Sequence, residues 1–269
     1  MELSKSPKKY WHKYHSGKYE QESTEALEMG SAFHCLILEP EKFKDYAAIV
    51  PDDKKKLTKA QINAKNPSDS TRLLAEWWGE FDKENEGKAY LKQQQAEQLR
   101  AMADAIRKEP AAQKLLGKKG LIEPSIFWTD EETNIDIKVK LDFVPTDNSF
   151  VCDIKTAASV DENKFMRSIG DYGYDIQAFM NIEAIFQLTG ERPDAFIWAC
   201  VEKAEPYDTG FFVADDTVLQ AGEVKFRYLL RKLAECRLND RWPSRGDGKF
   251  RPIGMPPWEM QKLEEMETE

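Results

Sequence analysis

The chain first changes its hydrophobic rhythm near residue 120. Before that point apolar residues recur at helical spacing; after it they alternate along short stretches bounded by turn-forming residues, the pattern of half-buried strands. Ser6 followed by Pro7 supplies an N-cap and a first helical residue, so residues 4–18 (SKSPKKYWHKYHSGK) predict a short helix. Residues 24–38 predict a largely apolar helix with one polar side chain, His34, in its second half. Residues 45–70, rich in Lys, Asp and Asn, read as a loop with a charge run at Lys54 to Lys56. Residues 70–108 predict one or two helices closed by Pro110.

Three strands follow, LIEPSIFWT (121–129), IDIKVKLDFV (135–144) and SFVCDIK (149–155), separated by turn-rich TDEETN and PTDN. They suggest an antiparallel meander. YDIQAFMNIEAIFQLTG (174–190) predicts a buried helix stopped by Gly190. Strands at 195–202 and 211–214 and a closing amphipathic helix at 216–238 complete the run, ahead of an acidic tail after Pro257. This order predicts a mixed-sheet α/β or α+β domain, not an uninterrupted βαβ series.

If PTDN joins two antiparallel strands, Val144 opposes Ser149, Phe143 meets Phe150, Leu141 meets Cys152 and Val139 meets Ile154, which makes one apolar face. The other face carries Lys138, Lys140 and Asp142 on one strand, and Val151, Asp153 and Lys155 on the next. In this register Asp142 opposes Val151, and Asp153 is its diagonal neighbour at roughly 7–8 Å. Two carboxylates leaning together at that distance can share a divalent cation, whose oxygen ligands lie at about 2.1 Å. A shift by one residue would separate the two acids onto opposite faces.

An acid two residues before a lysine is common in this chain (Asp52 and Lys54, Asp136 and Lys138, Glu162 and Lys164), so the tripeptide alone says little. Asp153 and Lys155 differ in sitting on a buried-looking strand directly after a hairpin that supplies Asp142. The competing reading is an ion pair on a half-exposed strand, worth about 0–1 kcal/mol. His34 is either a hydrogen-bonded core residue or a ligand, and Gly30, one turn earlier, allows close backbone approach in both cases. Glu123 lies among apolar residues, where an unpaired carboxylate is costly, and so calls for a cation or a donor.

Composition narrows the class. Hydrophobic residues make up 41% and charged residues 32% of the 269, which excludes a disordered chain and a membrane protein. No apolar run approaches the roughly 18 residues of a membrane span, and the N-terminus has no signal-peptide core, so a cytoplasmic location is expected. Cys35, Cys152, Cys200 and Cys236 are dispersed, without a C-x-x-C pair, which points to reduced core thiols rather than zinc or an iron–sulfur cluster. The net charge of −9 argues against a positively coated protein but does not exclude nucleic acid, because binding depends on where basic groups cluster. One such cluster is residues 4–18, with five lysines, no acid, and Tyr10, Trp11 and Tyr14 interleaved. That helix is either a solvated face with its aromatics on the core or an element that contacts phosphates.

Four blocks, LEMGSAFHCLILEPEKF (27–43), EPSIFW (123–128), LDFVPTDNSFVCDIKT (141–156) and DYGYDIQAF (171–179), resemble in order the C-terminal nuclease domain of exonuclease VIII (RecE). That family lies in the PD-(D/E)-x-K nuclease superfamily, with lambda exonuclease and the RecB nuclease domain as more distant relatives. The resemblance runs from about residue 3 to residue 243. It implies a restriction-endonuclease-like core and a single nuclease domain over 1–269, with a helical part at 1–118, a catalytic sheet core at 119–240 and a tail at 241–269.

Carried over residue by residue, the resemblance makes His34, Asp142, Asp153 and the carbonyl of Ile154 ligands of Mg²⁺, for which Mn²⁺ can substitute. Glu123 becomes a second-site or water-mediated ligand. Lys155 orients or deprotonates the attacking water, with a bound cation lowering its pKa. Gln177, with Tyr172 and Tyr174 before it, falls on the family's post-core helix motif, and Lys8, Lys9, Lys13, Trp11, Tyr172 and Tyr174 are the expected DNA contacts. Leu141 stands where the superfamily often has Pro, and Asn181 where related nucleases often have Tyr, which weakens the transfer of a substrate contact to that helix.

The implied activity is 5′-to-3′ degradation of one strand of linear duplex DNA, leaving 3′ tails for a RecT-like single-strand annealing protein. A homo-oligomer, including a ring around DNA, occurs in that family and is expected here, with no membrane partner. The alternatives are an endonuclease or repair nuclease of the same superfamily, or a non-catalytic DNA-binding or assembly module; the complete set of two acids, Lys and His favours catalysis.

Overall fold

Ser6, Thr24, Thr58, Ser68 and Asp161 each accept a hydrogen bond from the backbone N–H three residues on, and each opens a helix. The computed structural model describes residues 2–20 and 24–268. In chain order its elements are α1 (Glu2–Lys5), α2 (Pro7–Tyr14), α3 (Glu25–Leu38), a 3-10 turn (Pro40–Lys42), α4 (Phe43–Tyr46), β1 (Ala47–Val50), α5 (Lys59–Ile62), α6 (Asp69–Glu84), β2 (Ala89–Lys92), α7 (Gln93–Lys108) and α8 (Pro110–Leu116). Then come β3 (Gly120–Ile122), β4 (Ser125–Asp130), β5 (Ile135–Lys140), β6 (Phe143–Pro145), β7 (Phe150–Ala157), α9 (Glu162–Tyr172), α10 (Tyr174–Thr189), β8 (Ala195–Glu202), β9 (Thr209–Val213), α11 (Asp216–Leu238) and α12 (Pro257–Thr268).

The chain falls into two compact units, residues 21–227 and residues 1–20 with 228–269. In the smaller unit the Lys8 N–H donates to the Pro243 carbonyl at 3.1 Å, and Tyr10 stacks on Trp242 with ring centroids 6.1 Å apart. α2 begins at Pro7 behind its Ser6 cap, as its sequence predicts.

The larger unit is built on a mixed five-stranded sheet in the order β3-β6-β7-β8-β9. β7 and β8 are parallel, and a parallel pair needs a long crossover, which α9 and α10 supply. One face of the sheet, with Phe150, Cys152 and Ile154, packs on Phe33, Leu36 and Ile37 of α3 and Leu99, Met102 and Ile106 of α7. The other, with Val151, Phe196 and Trp198, packs on Ala178, Ile182 and Ile185 of α10. β7 is therefore buried on both sides, and Asp153 and Lys155 lie on its α10 side. The mixed sheet flanked by helices is the fold class predicted from the alternation of patterns. Among the described residues no helix is long and apolar enough to cross a membrane.

Three expectations are corrected. The stretch 45–70 is not all loop, and the helical stretch after it is interrupted: β1 and β2 pair in parallel as a separate two-stranded sheet, too short and too distant in sequence to show in the pattern. The meander is split. β4 and β5 form their own two-stranded sheet, so Val139 pairs with Ile126 rather than Ile154, while β3 and β6 join the main sheet. Finally, the β6–β7 register is Phe143 to Cys152, which when continued sets Asp142 opposite Asp153 instead of Val151. The slip is two residues, and an even slip preserves the face of every side chain.

Candidate active site

The break in the hairpin builds the site. Pro124 has no N–H to give the ladder, and Glu123 takes φ 50°, a left-handed conformation that interrupts the pleat. β3 therefore stops at Ile122 and β4 begins at Ser125, while Leu141 and Asp142 separate β5 from β6 across from them. Two backbone hydrogen bonds span the break, Glu123 N–H to the Asp142 carbonyl at 2.9 Å and Leu141 N–H to the Pro124 carbonyl at 3.0 Å. At this bend the Asp142 side chain turns to β7, where its Oδ2 accepts from the Ile154 N–H at 2.7 Å.

His34 arrives from α3, with Nδ1 3.2 Å from Asp142 Oδ1. Burial by itself disfavours the imidazolium, but the Asp142 hydrogen bond and the Asp142 and Asp153 charges outweigh it, and the His34 pKa is raised.

Asp153 is 2% exposed. Its Oδ1 accepts from Gln177 Nε2 at 2.6 Å. Its Oδ2 is in an ion pair with Lys155 Nζ at 2.6 Å. Lys155 directs Nζ to Gln177 Oε1 at 3.1 Å and stands 4.8 Å from the Tyr174 ring centre. Tyr172, largely exposed, leans on Tyr174 with ring centroids 5.6 Å apart. Burial pushes the Asp153 carboxyl up, and Asp142 adds to that push against the pull of Lys155. Burial also disfavours the Lys155 ammonium, yet the two carboxylates prevail and raise its pKa. The lowering expected beside a bound cation is thus opposed by the protein's own acids.

Glu123 is not buried among apolar residues, as its neighbours in sequence suggest. It is at the break, partly exposed, and its Oε2 accepts from Lys140 Nζ at 2.5 Å. With His34, Cys35, Tyr46 and Lys140 it lines a cavity of about 350 Å³ beside Asp142's partner imidazole. Lys140 carries no signal of its own in the sequence; Pro124, which demotes an uninterrupted strand, is the available sign that Glu123 and Lys140 meet at a break.

The donors His34, Asp142 and Asp153 lie as two pairs, His34 with Asp142 and Asp153 with Lys155. Among the described residues no three His, Cys, Asp or Glu side chains converge on one point. The chemistry of the set nonetheless fits a hard divalent cation: two carboxylates, one imidazole, and the Ile154 carbonyl, which leaves β7 on the same edge as the N–H bound by Asp142. Asp153 Oδ2, buried and paired with the Lys155 ammonium, is the oxygen that such an ion would share with it.

Lys8, Lys9, Lys13 and Trp11 are on α2, in the smaller unit. The three lysines line a cavity of about 400 Å³ there with His12 and Tyr19, and Lys13 lies over the rings of Tyr14 and Tyr19 at 5.4 and 5.5 Å.

The fold is similar to the crystal structure of a protein from Eubacterium rectale described as a "Putative exonuclease", with a TM-score of 0.59, 14% identity, and coverage of 94% of this chain and 85% of that one. No curated protein sequence is a significant match. Residues 1–249 match the model of the family described as "PDDEXK-like domain of unknown function (DUF3799)", and the chain belongs to that family, within the PD-(D/E)-x-K nuclease superfamily.

Proposed function

We propose that this protein is a divalent-metal-dependent DNA exonuclease that degrades linear duplex DNA from the 5′ end and leaves 3′ single-stranded tails. The observation that carries the reading is the joining of Asp142, Asp153, Lys155 and Gln177 at the kinked end of the β6–β7 pair, with His34 against Asp142. The resemblance of four sequence blocks to the RecE family, and the likeness in fold to a protein described as an exonuclease, support it.

Hydrolysis breaks the bond between phosphorus and the 3′ oxygen of one nucleotide and forms a bond from phosphorus to a water oxygen. Asp142, Asp153, His34 and the Ile154 carbonyl would hold Mg²⁺ or Mn²⁺, with Glu123 as an outer ligand; when bound, the ion supplies charge neutralisation at the phosphate and acidifies water. The chain's own groups do the positioning. Gln177 fixes both members of the Asp153–Lys155 pair, so the Lys155 ammonium is held at one point and can donate to the attacking water or a phosphate oxygen. Tyr174 flanks Lys155, and Tyr172 offers an exposed ring on which a terminal base can stack. The lysines of α2 add contacts to the phosphate backbone.

The tails would serve a single-strand annealing protein, and an oligomeric ring would keep a negatively charged chain on its substrate. End-labelled linear duplex tests the polarity. Release of a 5′ label as mononucleotide, ahead of a 3′ label and with closed circles untouched, is the expected result; first release of the 3′ label, or cutting of circles, would contradict it.

A further inference from the structure

The Lys54 to Lys56 run, unused by the site above, lies along a third cavity, of about 690 Å³. Two aromatic rings are part of its wall, Trp78, which is 7% exposed, and the half-buried Tyr90. They are backed by Phe81, whose ring centroid is 5.3 Å from that of Tyr90 and 4.7 Å from that of Trp77. Trp78 Nε1 donates to the Lys55 carbonyl at 3.1 Å, which ties the lysine loop to α6. Lys56 Nζ stands 5.8 Å from the Trp78 ring centre and 5.4 Å from that of Tyr90, and Lys54 stands 5.6 Å from that of Trp77.

Lys88, just before β2, and Lys92, its last residue, extend the basic lining. Three acids face these five lysines: Glu25, Glu28 and Asp52. Glu25 is engaged by Lys92 at 3.6 Å and by Gln95, and Lys54 is shared with Asp53 at 3.2 Å. Lys55, Lys56 and Lys88 have no acidic partner among the described residues.

α3 connects this cavity to the candidate active site. Glu25 and Glu28 line the lysine groove, while Ser31 and His34 line the cavity at the active site. Each is three residues on from the last, so neighbours in the row are adjacent, but the row winds about 60° round the helix at every step and Glu25 and His34 end on opposite sides. From Glu28 to His34 the rise is about 9 Å at 1.5 Å per residue.

We propose that this groove holds single-stranded DNA next to the centre that cuts it, an inference that rests on the nuclease reading. Lysines without acidic partners neutralise phosphates, and the half-buried Tyr90 ring offers a face to a base of any sequence; together they are what a single strand requires.

The test is binding of a fluorescein-labelled oligothymidylate to the full chain in EDTA, followed by anisotropy over a salt series. The K54Q/K55Q/K56Q variant should weaken binding about tenfold and flatten the slope of log affinity against log salt by about 2, since each phosphate that a lysine neutralises on a single strand adds roughly 0.7 to that slope. The corresponding triple arginine variant should bind like wild type, and unchanged thermal midpoints establish that both variants are folded. Unchanged affinity and slope in the glutamine variant would overturn the proposal, and so would an equal weakening on a duplex of the same length. Because the assay involves no cleavage, a chain that cannot cut DNA under Mg²⁺ would defeat the nuclease reading while leaving this binding result readable by itself.

Discussion

Gln177 donates from Nε2 to Asp153 Oδ1 at 2.6 Å, and the same amide accepts from Lys155 Nζ through its Oε1 at 3.1 Å. An amide faces an acid and a base at once through two different atoms, which makes Gln177 the positioning residue of the pair. Gln177→Leu should lose about 1–3 kcal/mol, the cost of leaving a buried acceptor without its donor. Gln177→Glu should lose more at pH 8, because it brings a second negative charge against Asp153. Urea unfolding midpoints check both; a Leu variant as stable as wild type would show that the hydrogen bond has no weight.

The Asp153–Lys155 pair is buried, so removing one partner exposes the other's desolvation cost. Lys155→Met should destabilise the protein in EDTA by about 3–5 kcal/mol, and D153N/K155M should be more stable than the single variant. Mg²⁺ should recover part of the loss in Lys155→Met and none in the double variant. Equal destabilisation of the two variants, unmoved by Mg²⁺, would mean that Asp153 is not the ligand. Both variants should lose cleavage.

His34 gives the pH dependence. Its pKa is raised in the folded protein, so the fold binds that proton more tightly than the unfolded chain does. The contribution is complete below the ordinary histidine value of 6.5 and disappears as pH rises through the folded value. In EDTA, the stability advantage of wild type over His34→Gln should be larger at pH 5.5 than at pH 8.5. A gap that stays constant across that range would rule out the Asp142 ion pair.

The helix that carries Gln177 is held by a close approach. A Cβ at Gly222 of α11 would come within 2.1 Å of the Asp175 carbonyl oxygen, two residues before Gln177. Lys225 of the same helix pairs with the Asp175 carboxylate. Gly222→Ala should therefore cost about 1–3 kcal/mol through overpacking, read as a lower thermal midpoint, and should slow any cleavage through displacement of Gln177. A neutral Gly222→Ala would show that α11 yields without disturbing α10.

The sequence announced the elements whose signals are local. α3 runs over Glu25–Leu38, as its largely apolar run predicts, and α10 ends at Gly190 with φ 79°, as that glycine predicts. Strand β7, with Asp153 and Lys155 on the face opposite Cys152 and Ile154, was legible from period-2 alternation. The split of the hairpin was not, because alternation continues through 121–129 and 135–144 and only Pro124 interrupts it. The joining of His34 to Asp142 and of Gln177 to Asp153 and Lys155 is tertiary: each contact joins a helix to the sheet or to the break beside it, and no spacing rule relates them. β1 and β2 are four residues each, too short for a periodicity to form.

The most direct measurement is nucleotide release from linear duplex DNA by wild type and Asp153→Asn, each with Mg²⁺ and with EDTA. Release by wild type with Mg²⁺, abolished by EDTA and reduced at least about a thousandfold in the variant, is the result expected if the ion and its buried ligand supply the main transition-state stabilisation. Release that survives EDTA, or an Asp153→Asn enzyme as active as wild type, would contradict the assignment of this site as the metal-dependent centre.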